Sequence, residues 1–176
     1  LPRPHALPRT MSRRLDQLRE EFHHETRVTR RHLALVPDDQ FAWRPHARSF
    51  TIGQLGGHLA ECVRWTEQVF AADGIDIDPA TYTPVRPTST AELLATFDAL
   101  VARAADAMAR CGDVEVVQPW TLSLRGVPRF SRAREAAWRD MSLHHLVHHR
   151  GQLTVYLRLL DVPLAETYGP TADSQR

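Results

Sequence analysis

The stretch 138-WRDMSLHHLVHHRGQLTVYLRLL-160 sets four histidines within six positions of one long amphipathic helix, and the fold has to accommodate them. Residues i and i+4 of a helix lie on the same face one turn apart, so the run offers two stacked pairs, His145/His149 and His144/His148. At roughly 100° per residue, Trp138, Met141, Leu146, Leu153, Tyr156, Leu157, Leu159 and Leu160 gather into an apolar stripe. The middle of that stripe passes through His145, His149 and Gln152, while His144 and His148 fall at its edge beside solvent. Two imidazoles facing a core need polar partners, since a buried polar group without a hydrogen bond costs roughly 1–3 kcal/mol. A divalent metal would satisfy both, and so would ordinary hydrogen bonds; H-x-x-x-H alone does not separate the two in a chain with 10 His among 176 residues. On the same stripe Arg150 lies near an edge, where a surface ion pair accounts for it.

Three further helices are predicted upstream. Residues 11–36 carry Met11, Leu15, Leu18, Phe22, Thr26, Thr29, Leu33 and Val36 at helical spacing, with Thr10 or Ser12 as N-cap. His23 and His24 fall outside that stripe and read as solvated, and Glu25 lies at its border. After a polar, proline-containing connection over 37–50, Ser49 or Thr51 opens a second helix to about residue 72. Its apolar seam is Leu55, Cys62, Trp65 and Val69, and His58 lies at the centre of the seam. Glu61, one turn on, is within reach of a ligand or bound water, although a surface glutamate explains it as well. A third helix starts at the capping box Ser89-Thr90-Ala91-Glu92, carries the stripe Leu93, Leu94, Phe97, Leu100, Val101, Ala104, Met108 and Cys111, and ends at Gly112.

Two connections stand out. Residues 73–88 are rich in Pro, Asp and Thr and read as a loop across one end of a bundle, long enough for a lid. Residues 113–130 lose helical periodicity and alternate at Trp120-Thr121-Leu122-Ser123-Leu124, which fits a short hairpin or an extended crossover, with Ser131 then capping the histidine helix. The predicted class is therefore all-α: a four-helix bundle with long inter-helix loops and room for one short β-hairpin before the last helix. Both long loops can cross the bundle, so a plain up-down order is not implied.

Length and charge narrow the function. A chain of 176 residues and 20.0 kDa is one domain's worth, with the Pro-rich start 1–10 expected to lie loose outside it. Basic and acidic residues nearly cancel, 22 against 21, so no whole-molecule field favours nucleic acid or an anionic membrane. No C-x-x-C pair occurs; Cys62 and Cys111 leave only a single buried disulfide open. The absence of an apolar run of roughly 18 residues, and of an apolar signal core in 1-LPRPHALPRT-10, leads to the expectation of a cytoplasmic protein. With His58 on one helix and His145 and His149 on another, three nitrogen donors face one core. Three protein ligands with an open position is how catalytic metal sites are built.

The run His145-Leu146-Val147-His148-His149-Arg150-Gly151-Gln152, continuing to Asp161-Val162-Pro163 and Tyr168-Gly169-Pro170, resembles the C-terminal signature of the DinB/YfiT-like superfamily. The segment Phe50-Thr51-Ile52-Gly53-Gln54-Leu55-Gly56-Gly57-His58-Leu59, with Trp43 and Pro45 upstream, is similar to its helix-two motif. The resemblance implies a four-helix bundle, often a homodimer, holding a divalent metal, usually zinc or nickel, on three histidines. Carried over by motif these are His58, His145 and His149. It also implies transfer chemistry with low-molecular-weight thiols such as bacillithiol or mycothiol, with some relatives acting as hydrolases or isomerases. Some mycothiol-dependent relatives have a glutamate at one ligand position, where this chain has His145.

Three functions compete. The first is a thiol-dependent S-transferase acting on small electrophiles, the thiol's ionisation favoured by the cation. The second is a metal-dependent hydrolase, for which Glu61 or Glu25 would be the general base. The third is a non-catalytic, stress-associated metal-binding bundle; a structural zinc more often has four protein ligands and more cysteine.

Overall fold

The computed structural model describes residues 12–174. The predicted loose segment 1–10, Met11 and a cap at Thr10 lie outside the described residues.

Helix α1 spans Ser12–Leu33 and buries the expected stripe, Leu15, Leu18, Phe22, Thr26, Thr29 and Leu33, with Val36 just beyond. Helix α2, Ile52–Ala71, starts at Thr51, whose hydroxyl accepts from the Gln54 amide while the Gln54 side chain accepts from the Thr51 amide. This reciprocal cap fixes the first turn, with Thr51 about two turns before His58. Helix α3, Thr90–Arg110, is capped by Ser89 accepting from the Glu92 amide. The Glu92 carboxylate closes on the amide and hydroxyl of Thr88 instead of on Ser89, so the capping box is only half formed.

The last helical rod has three parts: α4 (Arg134–Trp138), a π-helical turn (Arg139–Leu143) and α5 (His144–Leu159). Core-facing Trp138, Ser142, Leu146 and Arg150 repeat every four residues, slower than the α-helical period; the wider π turn absorbs that drift and keeps the face inward. Ser131 does not cap this rod. It belongs to a strand, and the rod starts at Arg134 without a side-chain cap because the alternation of the strand runs on to Ala133. At the other end Asp161, with φ of 57°, turns the chain out before Pro163.

Helix α2 packs on α3 and α5, and α1 packs on the same two, so α1 and α2 are diagonal in the bundle. The 34–51 connection therefore crosses the bundle end. The all-α expectation needs one correction: a three-stranded sheet, with Pro119–Leu124 as its central strand, sits at one end of the bundle. Strands β2 (Pro119–Leu124) and β3 (Val127–Ala133) form the anticipated hairpin, closed by Arg125 and Gly126, both at positive φ. The segment read as loop contributes β1 (Gly74–Ile77), parallel to β2. Trp120 is fully buried beneath the sheet. Arg134, 3% exposed, donates to the carbonyls of Val69, Ala72 and Glu115 and pairs with Asp73, tying the C-terminal end of α2 to the sheet.

Candidate metal centre

Helices α2 and α5 bring the three predicted histidines together. The ring centroids lie 5.0 Å apart for His58 and His145, 4.5 Å for His58 and His149, and 4.6 Å for His145 and His149. Each ring is anchored by its Nδ1. His58 donates to the Glu61 carboxylate at 2.8 Å, His145 to the Met141 carbonyl at 3.3 Å, and His149 to the Gln152 side-chain carbonyl at 2.7 Å. The Glu61 carboxylate and the Met141 carbonyl can only accept, so Nδ1 of His58 and of His145 carries the proton, as does that of His149 facing the Gln152 oxygen, and an Nε2 without a proton presents a lone pair. The Nε2 atoms of His58 and His145 face each other at 3.2 Å. Two lone pairs at that distance repel unless a cation or a proton lies between them.

Burial, and then the neighbouring His58 charge, holds His145 below its ordinary value. Burial pushes His149 down to about 4 against the opposing bond from Gln152. Both rings are therefore unprotonated near neutrality, the form that binds metals. Such Nδ1 anchoring is how protein ligands to a metal are usually oriented.

Several residues differ from expectation. Glu61 is not a surface group but is 3% exposed, with Oε2 on His58 and Oε1 accepting from the Val85 amide at 2.7 Å. Burial alone would raise its carboxyl, but the bonds from His58 and Val85, with Arg64 beyond, hold it below the usual carboxylate range. Arg150 is not a surface residue either. It is 2% exposed, pairs with Glu25 at 2.6 Å and reaches the Tyr168 hydroxyl, which itself donates to Glu25. The buried face of α5 runs through Leu146, Arg150, Leu153 and Leu157, and His145 and His149 flank it, half-buried. Glu25 thus belongs to the Arg150 pair. As expected, His23, His24, His144 and His148 are exposed.

Cys62 lies in the apolar seam of α2, as its spacing predicts. It is a free, buried thiol, as is Cys111, so no disulfide joins them. Ligand atoms of His58, Cys62 and His145 lie within 4.8 Å of one another, and this group could hold a metal ion. The signal was the same i,i+4 spacing that drew attention to the histidines, between His58 and Cys62 on α2. Burial, and then the Glu61 charge, pushes the Cys62 thiol far up. The donor set, imidazole nitrogens with a thiol beneath, suits zinc, nickel or another borderline cation better than magnesium or calcium.

A helical bundle with convergent imidazoles from facing helices is the class of protein that fold and site define. Residues 21–153 match the DinB superfamily, and the chain belongs to it. Among solved structures the chain is similar to a DinB-like protein from Bacillus subtilis, with a TM-score of 0.65 and 14% identity over 87% of this chain and 99% of that one. It is also similar to a DinB-like protein from Bacillus cereus, with a TM-score of 0.64 and 17% identity over 85% and 94%. At these identities the likeness concerns the fold. No curated protein matches the chain. No helix among the described residues is long and apolar enough to cross a membrane.

Proposed function

We propose that the chain is a metal-dependent enzyme in which His58, His145 and His149 hold a divalent cation, zinc or nickel, and which transfers a low-molecular-weight thiol to a small electrophile. The observation that carries this reading is the pair of opposed Nε2 atoms, 3.2 Å apart, on rings whose Nδ1 protons are already committed. A cation bound there would favour ionisation of a thiol or a water presented to it.

The chain's own residues favour thiol transfer over hydrolysis. A hydrolase needs a carboxylate or imidazole free to take a proton from water. Both oxygens of Glu61 are occupied, by His58 and by the Val85 amide, and Glu25 is held by Arg150 and Tyr168. A thiol, ordinarily ionising at about 8.5 against about 15.7 for water, asks much less of the cation and of any base, which favours thiol transfer. The thiol would be of the bacillithiol or mycothiol kind. A homodimer, implied by the family resemblance alone, enters no step of this reading.

The test begins with metal content. Untagged protein should carry about one zinc, nickel or similar ion per chain, and His58→Ala, His145→Ala and His149→Ala should each lose it while keeping their helix content by circular dichroism. The loaded protein should then accelerate thiolate displacement of halide from an aryl halide, forming the carbon–sulfur bond and releasing halide and a proton. Bound metal without thiol dependence, together with ester or amide turnover, would move the protein to the hydrolases. Bound metal without turnover, and unfolding on chelation, would make the site structural.

A further inference from the structure

The segment after β1 folds back across α2 and roofs a cavity of about 370 Å³ beside the imidazoles. Its floor is His58 and Glu61, and its walls are largely apolar, with Phe50, Trp65, Ile77 and Tyr82 prominent. Phe50 also packs on the His58 ring, with centroids 5.6 Å apart. Phe50 and Tyr82 are 45% and 36% exposed, large apolar groups left open at the mouth. The volume is at the small end of ligand pockets.

The charges around this cavity are unequally committed. Glu61 is fully engaged, as described above. Arg64 is held by the Tyr82 hydroxyl at 2.7 Å and lies 3.9 Å from Glu61. Arg86, which also lines the cavity, donates only to the carbonyl of its neighbour Val85 at 3.1 Å and enters no ion pair among the described residues. A cleft with largely apolar walls therefore carries one uncommitted guanidinium at its rim and no free carboxylate.

We infer that this cavity binds a small organic anion, its apolar body lying against Trp65, Phe50 and Tyr82, its carboxylate, sulfonate or phosphate on Arg86, and its other end against His58. A guanidinium takes such groups through paired charge-assisted hydrogen bonds. The inference rests on the proposed function only for what happens at the His58 end. It names the substrate class as amphipathic and anionic, so a neutral molecule of the same shape binds by the walls alone. At the mouth, where solvent screens the pair, the charge should be worth about tenfold in affinity, the lower end for hydrogen bonds to charged groups.

The test is calorimetric titration of the zinc-loaded protein with phenylbutyrate and with its neutral amide. Phenylbutyrate should bind about tenfold more tightly, and Arg86→Gln should bring the two close to equal while leaving the amide's affinity unchanged. Trp65→Ala should weaken both probes alike. A preference for the anion that survives in Arg86→Gln would mean that the carboxylate sits on the metal, and would overturn the inference. Failure of both probes to bind would overturn it as well. Metal content of the same samples is read independently. An Arg86-dependent preference in protein that holds no metal would uphold the anion site while removing the proposed metal chemistry.

Discussion

At the scale of single residues, the proposed site has two rivals for the third donor beside His58 and His145: His149 and Cys62. Distance favours the thiol: the group of ligand atoms within 4.8 Å of one another is His58, Cys62 and His145, whereas His149 approaches the other two rings by centroid, at 4.5 and 4.6 Å, and is not part of that group. Their ionisation separates them. His149 is already neutral near physiological pH and its Nδ1 is anchored by Gln152, so nothing has to be lost before Nε2 can bind. Cys62 must shed a proton in a buried position next to the Glu61 carboxylate. We therefore expect Cys62→Ala to keep a stoichiometric ion, with affinity lowered by about tenfold, the lower end for partners that only support a site. Cobalt-substituted protein supplies the check. Loss of cobalt in Cys62→Ala, or a near-ultraviolet sulfur-to-cobalt band in the wild type that disappears in this variant, would place the third donor at Cys62.

At the scale of elements, α2 is the organiser, because it carries His58 and also receives the segment that walls the cavity. Gly57 makes that approach feasible. A Cβ there would lie 2.3 Å from the Val85 carbonyl oxygen and 3.1 Å from Pro87 Cδ. Since the Val85 amide is simultaneously held by Glu61, the segment cannot simply slide away. Gly57→Ala should therefore destabilise the protein by about 1–3 kcal/mol, the usual cost of overpacking, despite alanine's better helix propensity. Gly151 on α5 has nothing within 4 Å of its would-be Cβ, so Gly151→Ala should stabilise by about 0.5–1 kcal/mol. Thermal denaturation of the two variants should show opposite shifts, and a rise for Gly57→Ala would refute the tight contact. The same elements show what a sequence can reveal. Helices α1 and α3 were legible because their apolar stripes are long and local. Strand β1 was not, because four residues at Gly74–Ile77 carry little periodicity and their partner, Thr121–Leu124, lies far along the chain. Arg150 was misplaced for a related reason. A buried arginine does not count toward an apolar stripe, and the groups that satisfy it, Glu25 and Tyr168, come from α1 and from the segment after α5. Omitting it displaced the inferred centre of the face by one residue, enough to set His145 and His149 in the middle when they flank it.

At the scale of the whole molecule, the fold keeps three imidazoles neutral in two places, and this ties its stability to pH. Besides His145 and His149, His32 on α1 is fully buried, its Nδ1 2.9 Å from the Val28 carbonyl and its Nε2 3.1 Å from the Ala165 carbonyl. Burial holds its value down, although both carbonyls pull the other way. All three groups bind a proton less readily in the folded protein than at their ordinary 6.5. Between that value and the folded ones the unfolded chain takes up more protons, so stability rises with pH in this window. It is complete above the unfolded value of 6.5 and is lost as pH falls from there through the folded value, which for His149 is about 4. Metal-free protein should accordingly show a melting temperature that declines steadily from about pH 7 toward about pH 4. His149→Ala should flatten part of that decline, because the variant has one fewer proton to exclude. The Glu61 carboxyl, held below the usual carboxylate range, adds its own loss only at the acid end of the window. A melting temperature that is level across this range, or higher at its acid end, would mean that the imidazoles titrate as freely in the folded protein as in the open chain. A proton would then enter between the Nε2 atoms of His58 and His145 at the acid end of the range without loss of stability, and their 3.2 Å approach would no longer call for a cation.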